Sequence, residues 1–170
     1  HHERTFNVKG KDMDVFLDLD GVLANFDAHV IARCGVDPHD PDSTIPWEQL
    51  DHDFYTTIPL MEGAAEFYQW CLIQEFKSHI LTGTILEPGC FSGKAWWVTN
   101  VLTQDRWQLQ KTILCASSQK QYLAQYGRVL VDDRKKNVDQ WMAKGGHGVL
   151  VTTRSPTVPD WDMLKSTLSG

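Results

Sequence analysis

The sequence predicts an α/β fold built on a parallel sheet, and three observations support this prediction. Short apolar runs rich in Val, Ile and Leu recur without polar alternation, as is typical of strands that are buried on both faces. Segments with apolar residues at helical spacing lie between these runs. The length of 170 residues suits a single domain, so the alternation of strand and helix indicates one doubly wound sheet.

The predicted elements follow one another in order along the chain. Strands are expected at residues 14–18, 78–82, 112–115, 128–132 and 148–152. Helices are expected at residues 63–76, 93–102, 119–126 and 135–143. The tail from Ser155 onward contains Pro156 and Pro159, and it is predicted to be a terminal extension.

One long segment, residues 25–59, interrupts the alternation after the first strand. It contains several prolines and an aromatic cluster, and it precedes the helix that should return to the sheet. We predict a small helical cap here, with one helix near residues 25–33 and another after Pro46. Residues 1–24 and 60–170 would then form the core.

The composition excludes several classes of protein. With 22 Asp and Glu against 16 Lys and Arg, the chain is acidic, which argues against binding duplex nucleic acid through its phosphates. No apolar run reaches the roughly 20 residues that cross a bilayer. The four cysteines form no CxxC pair, so a zinc knuckle is not expected. The polar N-terminus does not resemble a secretion signal, and we expect a cytoplasmic protein with reduced thiols.

Acidic residues follow two of the predicted strands. The first strand ends in Asp18-Leu19-Asp20-Gly21, and the fourth ends in Asp132-Asp133. Ligands of open α/β sheets bind at the carboxyl ends of the strands. Adjacent buried acids are costly unless a cation or hydrogen bonds stabilise them. An acidic turn, or a helix N-cap for Asp133, remains the alternative interpretation.

Donor groups follow the second strand and the segments after it. Thr82-Gly83-Thr84 offers hydroxyl and backbone N–H donors for an oxyanion, although an ordinary turn is the alternative. Lys94 and Lys120 come later, and a single lysine is more often a solvated surface charge. The order of these groups, with all of them expected at one sheet edge, favours a shared site for an anion.

These motifs together resemble the haloacid dehalogenase superfamily of aspartyl phosphatases. The matching segments are DLDGVLANF, LTGT, SSQKQYL and VLVDDRKKN, between residues 18 and 137. The chain is most similar to the 5'(3')-deoxyribonucleotidase branch, through DGVLANF, FYTTIPLMEGA, Gly93-Lys94-Ala95-Trp96 and Asp132-Asp133-Arg134. Asn25 replaces an acid of that branch, and the predicted cap is shorter. The resemblance implies a Rossmannoid core with a small cap.

The resemblance also implies a chemistry and a role for each residue. Mg²⁺ would be held by Asp18, the backbone carbonyl of Asp20 and Asp132, with Asp133 orienting its waters. Asp18 would be the nucleophile and Asp20 the general acid and base. The phosphoryl oxygens would be stabilised by Thr82, the Gly83 amide and Lys120, and Thr84 and Lys94 would contact the substrate.

Aromatic residues in the predicted cap could recognise the rest of the substrate. Phe26 and Trp47 are expected to stack on a nucleobase, whereas Phe54 and Tyr55 are expected to form the core of the cap. The expected function is therefore Mg²⁺-dependent dephosphorylation of (deoxy)ribonucleoside monophosphates by a monomer or homodimer. Another small phosphate ester, such as a sugar phosphate, is the alternative substrate, and a non-catalytic phosphate-binding protein is a further alternative.

Overall fold

The computed structural model describes residues 7–155 and 158–169. Its centre is a five-stranded parallel sheet with the strand order β3-β2-β1-β4-β5. The strands are β1 (Asp14–Leu17), β2 (Lys77–Gly83), β3 (Thr112–Cys115), β4 (Arg128–Asp132) and β5 (His147–Leu150). The predicted α/β fold with a parallel sheet is confirmed, and all five strands overlap the segments predicted for them.

Apolar side chains cover both faces of this sheet, which explains why the strands show no polar alternation. On one face, Val15 and Leu17 of β1 belong to the large core cluster. On the other face, Phe16 packs with Leu130 of the neighbouring strand and with Trp141. Because β1 is central and buried on both faces, its carboxyl end is a rigid support for the residues that follow it.

Within the described residues, six α-helices connect and cover the strands. They are α1 (Phe26–Cys34), α2 (His52–Thr56), α3 (Ala64–Leu72), α4 (Pro88–Trp97), α5 (Lys135–Ala143) and α6 (Trp161–Ser169). The helix predicted at 93–102 begins earlier because Pro88 suits a first helical turn, and it continues as a π-helical turn over Val98–Leu102. The helix predicted at 119–126 is instead a 3₁₀ helix, Ser117–Leu123. No helix in the described ranges has both the length and the apolar character that crossing a bilayer requires.

The segment 25–59 leaves the core and returns to it at one place. The Asn25 N–H donates to the Pro59 carbonyl at 2.8 Å, and the Met61 N–H donates to the Leu23 carbonyl at 2.8 Å. Between these points the segment carries α1, a 3₁₀ turn (Trp47–Gln49) and α2. Whether this segment acts as a cap stays a prediction.

Helix α2 of this segment packs closely on α4 of the core. A Cβ atom at Gly93 would lie only 2.9 Å from the His52 carbonyl oxygen, so a side chain at this position would push the helices apart. The His52 and Ser92 side chains add a hydrogen bond of 2.7 Å across the same contact. The inserted segment is therefore joined to the helix that carries Lys94.

The structure corrects the prediction that the tail from Ser155 onward is a terminal extension. The short strands β6 (Thr153–Ser155) and β7 (Val158–Pro159) pair antiparallel, and α6 follows. The Asp160 carboxylate accepts from the Met163 N–H at 3.1 Å and begins the helix, which buries Leu164 and Leu168 in the large core cluster. The prolines that suggested a terminal extension precede the helix; Pro156 itself lies outside the described residues.

We expect Leu164→Ala to lower the free energy of unfolding by about 2–5 kcal/mol, because it leaves a cavity in the main core. Urea unfolding of the variant and the wild type measures this loss. Ile73→Ala is the matched control, since Ile73 is largely exposed and its truncation should change stability by less than about 0.5 kcal/mol. Equal effects of the two substitutions would show that α6 does not contribute to the core.

Candidate active site

A pocket of about 200 Å³ opens at the carboxyl edge of the sheet, where the segments after β1, β2 and β4 meet. Of the predicted site residues, it is lined by Asp18, Asp20, Phe26, Trp47, Gly83, Thr84, Lys94, Lys120 and Asp133. Thr82 and Asp132 are fully buried, and each accepts a hydrogen bond from a lysine of the lining. The structure thus brings all eleven predicted residues to one place, and their chemical roles stay predictions.

Asp18 and Asp132 are joined by one buried lysine. The Lys120 ammonium lies 3.0 Å from Asp18 Oδ1 and 3.0 Å from Asp132 Oδ2, and all three side chains are at least nine-tenths buried. Lys120 reaches them from the 3₁₀ helix that follows β3. Since an unpaired buried charge is very costly, this contact stabilises the two carboxylates where strands β1 and β4 end.

The charges in this group shift one another's proton affinities. Burial raises the pKa of Asp18 well above its ordinary value, and the Lys120 charge opposes this shift while Asp132 adds to it. Burial alone would lower the pKa of Lys120, but the charges of Asp18 and Asp132 raise it above its ordinary value. The two carboxylates therefore favour the charged form of Lys120, and without it Asp18 would be still harder to ionise.

Two further donors, which the sequence analysis did not identify, fix the orientation of Asp132. The Arg134 N–H donates to Asp132 Oδ1 at 2.9 Å, and the Asn137 side-chain amide donates to Asp132 Oδ2 at 3.1 Å. Asn137 lies in the first turn of α5 and is mostly buried. Asn137 lies five residues after Asp132, in a segment that was predicted to be helical. This spacing is the sequence feature that could have identified it.

Lys94 occupies a different part of the pocket from Lys120. Its ammonium lies 2.8 Å from Asp20 Oδ2, 2.8 Å from Thr82 Oγ1 and 2.6 Å from the Gly83 carbonyl oxygen. The side chain is 3% exposed, so it is not the solvated surface lysine that was the alternative interpretation. It connects the segments that follow β1 and β2.

The carboxylates of this edge have the chemistry of a magnesium site. Oxygen atoms of Asp18, Asp132 and Asp133 all lie within 4.8 Å of one another. Asp133 lines the pocket and is exposed. Partial desolvation by the surrounding protein atoms, together with the charge of Asp132, raises the pKa of Asp133 to about 7. An oxygen-only set of ligands with excess negative charge suits Mg²⁺. These residues fit the expected ion, with Asp133 placed among the possible ligands.

Gly21 lets the segment after β1 approach Asp133. Its φ of +81° lies in the left-handed region, and a Cβ atom there would collide with the Asp133 carboxylate. We expect Gly21→Ala to cost about 1–3 kcal/mol of stability and to displace Asp133. Thermal unfolding and Mg²⁺ titration by calorimetry measure the two effects.

Gly35→Ala is the control for that prediction. Gly35 also has a positive φ, +67°, but its added Cβ atom would meet nothing within 4 Å. This variant should show the backbone strain alone, with unchanged Mg²⁺ affinity. If Gly21→Ala bound Mg²⁺ as tightly as Gly35→Ala does, the close contact with Asp133 would have no role in ion binding.

The two aromatic residues predicted to bind a nucleobase already stack on each other. The Phe26 and Trp47 ring centroids are 5.9 Å apart with planes inclined by 14°. Phe26 is buried and also meets the Phe54 ring edge-on, whereas Trp47 is 38% exposed. Trp47 is therefore the member of the pair with surface available for a ligand. Phe54 and Tyr55 are buried, but they belong to the large core cluster rather than to a separate cap core, and Tyr55 also lines the pocket.

Comparison with known proteins identifies the fold. No family model matches the sequence, and no curated protein matches it. Among solved structures, the chain is similar to a protein described as a dehalogenase with intermediate complex. The two share 11% identity over 96% of this chain and 100% of that chain, with a TM-score of 0.63. The chain therefore shares the fold of that protein, an α/β fold with a parallel five-stranded sheet. This likeness supports the predicted α/β core with a parallel sheet, and the superfamily, cap, phosphatase and nucleotidase expectations stay predictions.

Proposed function

We propose that this protein is a Mg²⁺-dependent hydrolase of phosphate monoesters that works through an aspartyl-phosphate on Asp18. The observation that supports this best is the position of the Asp18 carboxylate. It is buried at the end of the central strand, paired with Lys120 and open to the pocket. Asp20, two residues further on, lines the same pocket. A nucleophile and an acid–base group thus lie side by side on a rigid support.

Asp18, Asp132 and Asp133 are the residues that would hold the metal ion. A bound Mg²⁺ would offset negative charge on the carboxylates and on the phosphate. Both pocket lysines are already paired with protein carboxylates, so a bound cation would add to the Arg134 charge in the lining and help to admit a phosphate dianion. The acid-rich composition of the edge is consistent with this requirement.

Asp18 and Asp20 carry the two chemical steps. The Asp18 carboxylate attacks phosphorus, and the bond to the leaving oxygen breaks as that oxygen takes a proton from Asp20. Water then attacks the phosphoryl group on Asp18 and gives a proton to Asp20, which releases phosphate and restores both residues. Thr82, the Gly83 amide and Lys120 are the donors proposed to stabilise the phosphoryl oxygens.

We further propose nucleoside monophosphates as the substrate class. The exposed part of the Trp47 ring at the pocket rim supports this choice, because aromatic faces stack on nucleobases. A sugar phosphate would use the same chemistry without that contact. The pocket is small, which favours a monoester over a polymer.

Phosphate release from a panel of substrates tests the proposal. We expect turnover of ribo- or deoxyribonucleoside monophosphates with Mg²⁺, and only background release after EDTA treatment, with activity restored by added Mg²⁺. The panel includes sugar phosphates, and a 2-chloroacid because the structural neighbour is described as a dehalogenase. Preference for sugar phosphates would contradict the nucleotide assignment. Halide release without any phosphate release would contradict the whole proposal.

A further inference from the structure

We propose that Lys94 is a positioning residue that fixes the Asp20 carboxylate and leaves its Oδ1 atom facing the leaving group. The inference rests on the proposed function, because it assumes that Asp20 exchanges a proton with the departing alcohol. It differs from the role predicted from the sequence, in which Lys94 contacts the substrate phosphate. The contacts of the ammonium group, the state of Asp20 Oδ1 and the packing of α4 support it.

The Lys94 ammonium has no hydrogen left for a phosphate. An ammonium carries three N–H donors. Its three acceptors are Asp20 Oδ2, Thr82 Oγ1 and the Gly83 carbonyl oxygen, all between 2.6 and 2.8 Å away. The Tyr55 ring, with its centroid 5.7 Å from the nitrogen, provides a further favourable contact for the cation. Binding a phosphate would require Lys94 to give up one of these contacts.

The two oxygens of Asp20 are in opposite situations. Oδ2 accepts from Lys94, whereas Oδ1 is buried and has no hydrogen-bond partner among the described residues. A buried polar atom without a partner costs free energy, which suggests that a ligand or water supplies the partner. Asp20 lines the pocket, and its side chain is 29% exposed although Oδ1 itself is buried. In the proposed role, Oδ1 turns to meet the leaving oxygen of a bound ester and later the attacking water.

Lys94 can fix Asp20 because its own position is fixed. It lies in α4, and α4 contacts α2 closely at Gly93, the preceding residue. Through Thr82 and Gly83, the same ammonium also holds the end of β2. Asp20 is thereby oriented relative to the proposed phosphate donors, which is what proton transfer to a departing oxygen requires.

The dependence on the leaving group tests this role. An alkyl alcohol must be protonated as it departs, whereas p-nitrophenolate is a good leaving group without a proton. With Lys94→Met we expect kcat for a nucleoside 5'-monophosphate to fall about 10²-fold, the scale of general acid catalysis. The kcat for p-nitrophenyl phosphate should fall less than about tenfold, through the smaller disturbance of Thr82. Inorganic phosphate should inhibit the variant and the wild type equally well.

A double-mutant cycle separates action through Asp20 from a structural effect. In an Asp20→Asn background, adding Lys94→Met should change nucleotide turnover by less than about threefold, since the group it orients is already lost. Lys77→Met, at an exposed lysine, is the control and should leave both substrates unaffected. If Lys94→Met does not fold, the same ratio of the two substrates is measured on Lys94→Gln.

Two results would overturn the inference. One is an equal loss with both substrates together with weaker inhibition by phosphate, which would indicate a direct phosphate contact. The other is full additivity of Asp20→Asn and Lys94→Met. A wild-type protein that hydrolyses neither ester would instead contradict the proposed function. The assay therefore distinguishes failure of the inference from failure of the proposed function.

Discussion

Asp18→Asn is expected to reduce phosphate release to background while the protein stays folded. The amide has nearly the same shape as the carboxylate but cannot form the phosphoryl bond. A coupled assay for phosphate measures the first effect, and thermal unfolding measures the second. Asp14→Asn is the control, because Asp14 lies at the opposite end of the same strand. Undiminished release by Asp18→Asn would refute the assignment of the nucleophile.

The stability of Asp18→Asn should also depend on pH in a defined direction. Burial raises the pKa of Asp18 in the folded protein, so its protonated form favours folding. That contribution is present below the unfolded-state value of about 3.9 and is lost as the pH rises toward the folded-state value. Asn does not titrate, so we expect the variant to gain stability relative to the wild type as the pH rises through this window.

Lys120→Met is expected to have the largest effect on stability, about 3–5 kcal/mol near neutral pH. The substitution leaves Asp18 and Asp132 buried together without their shared cation. Because both carboxylates can then take up protons, the deficit should shrink as the pH falls. Urea unfolding at pH 5 and pH 8 measures this trend.

Lys135→Met provides the matched comparison for Lys120→Met. Lys135 also pairs with a carboxylate, Asp139 at 2.6 Å, but both side chains are exposed. Exposed pairs of this kind contribute about 0.3–0.5 kcal/mol. If Lys120→Met cost no more than Lys135→Met, the buried ion pair would not stabilise the fold.

The strand ends were predictable from sequence because a parallel sheet collects its carboxyl termini at one edge. Asp18, Thr82 and Asp132 each follow an apolar run, so their proximity required only that the runs be strands. Contacts that depend on helix packing were not predictable in this way. The three acceptors of Lys94 depend on where α4 starts and how it packs on α2.

The remaining differences have local causes. The apolar spacing of Leu164 and Leu168 is helical, but the prolines before them favoured a terminal extension. Only its position in a predicted helix pointed to Asn137, because its amide reaches Asp132 only once the first turn of α5 has formed. Phe26 and Trp47 both lie in the segment that was expected to bind the base. Their mutual stacking, however, could be seen only with the positions of both rings.

The close contact between α2 and α4 has a consequence for how the pocket is reached. An outward rotation of the inserted segment, residues 25–59, would separate His52 from Gly93 and disturb α4, the helix that carries Lys94. Such a motion would dismantle the arrangement around Asp20 at the moment a substrate arrived. We therefore expect entry and exit through the existing opening of the pocket, which the partly exposed Trp47 lines. The width of this opening, rather than the closure of a lid, would then limit the size of the ester that can bind.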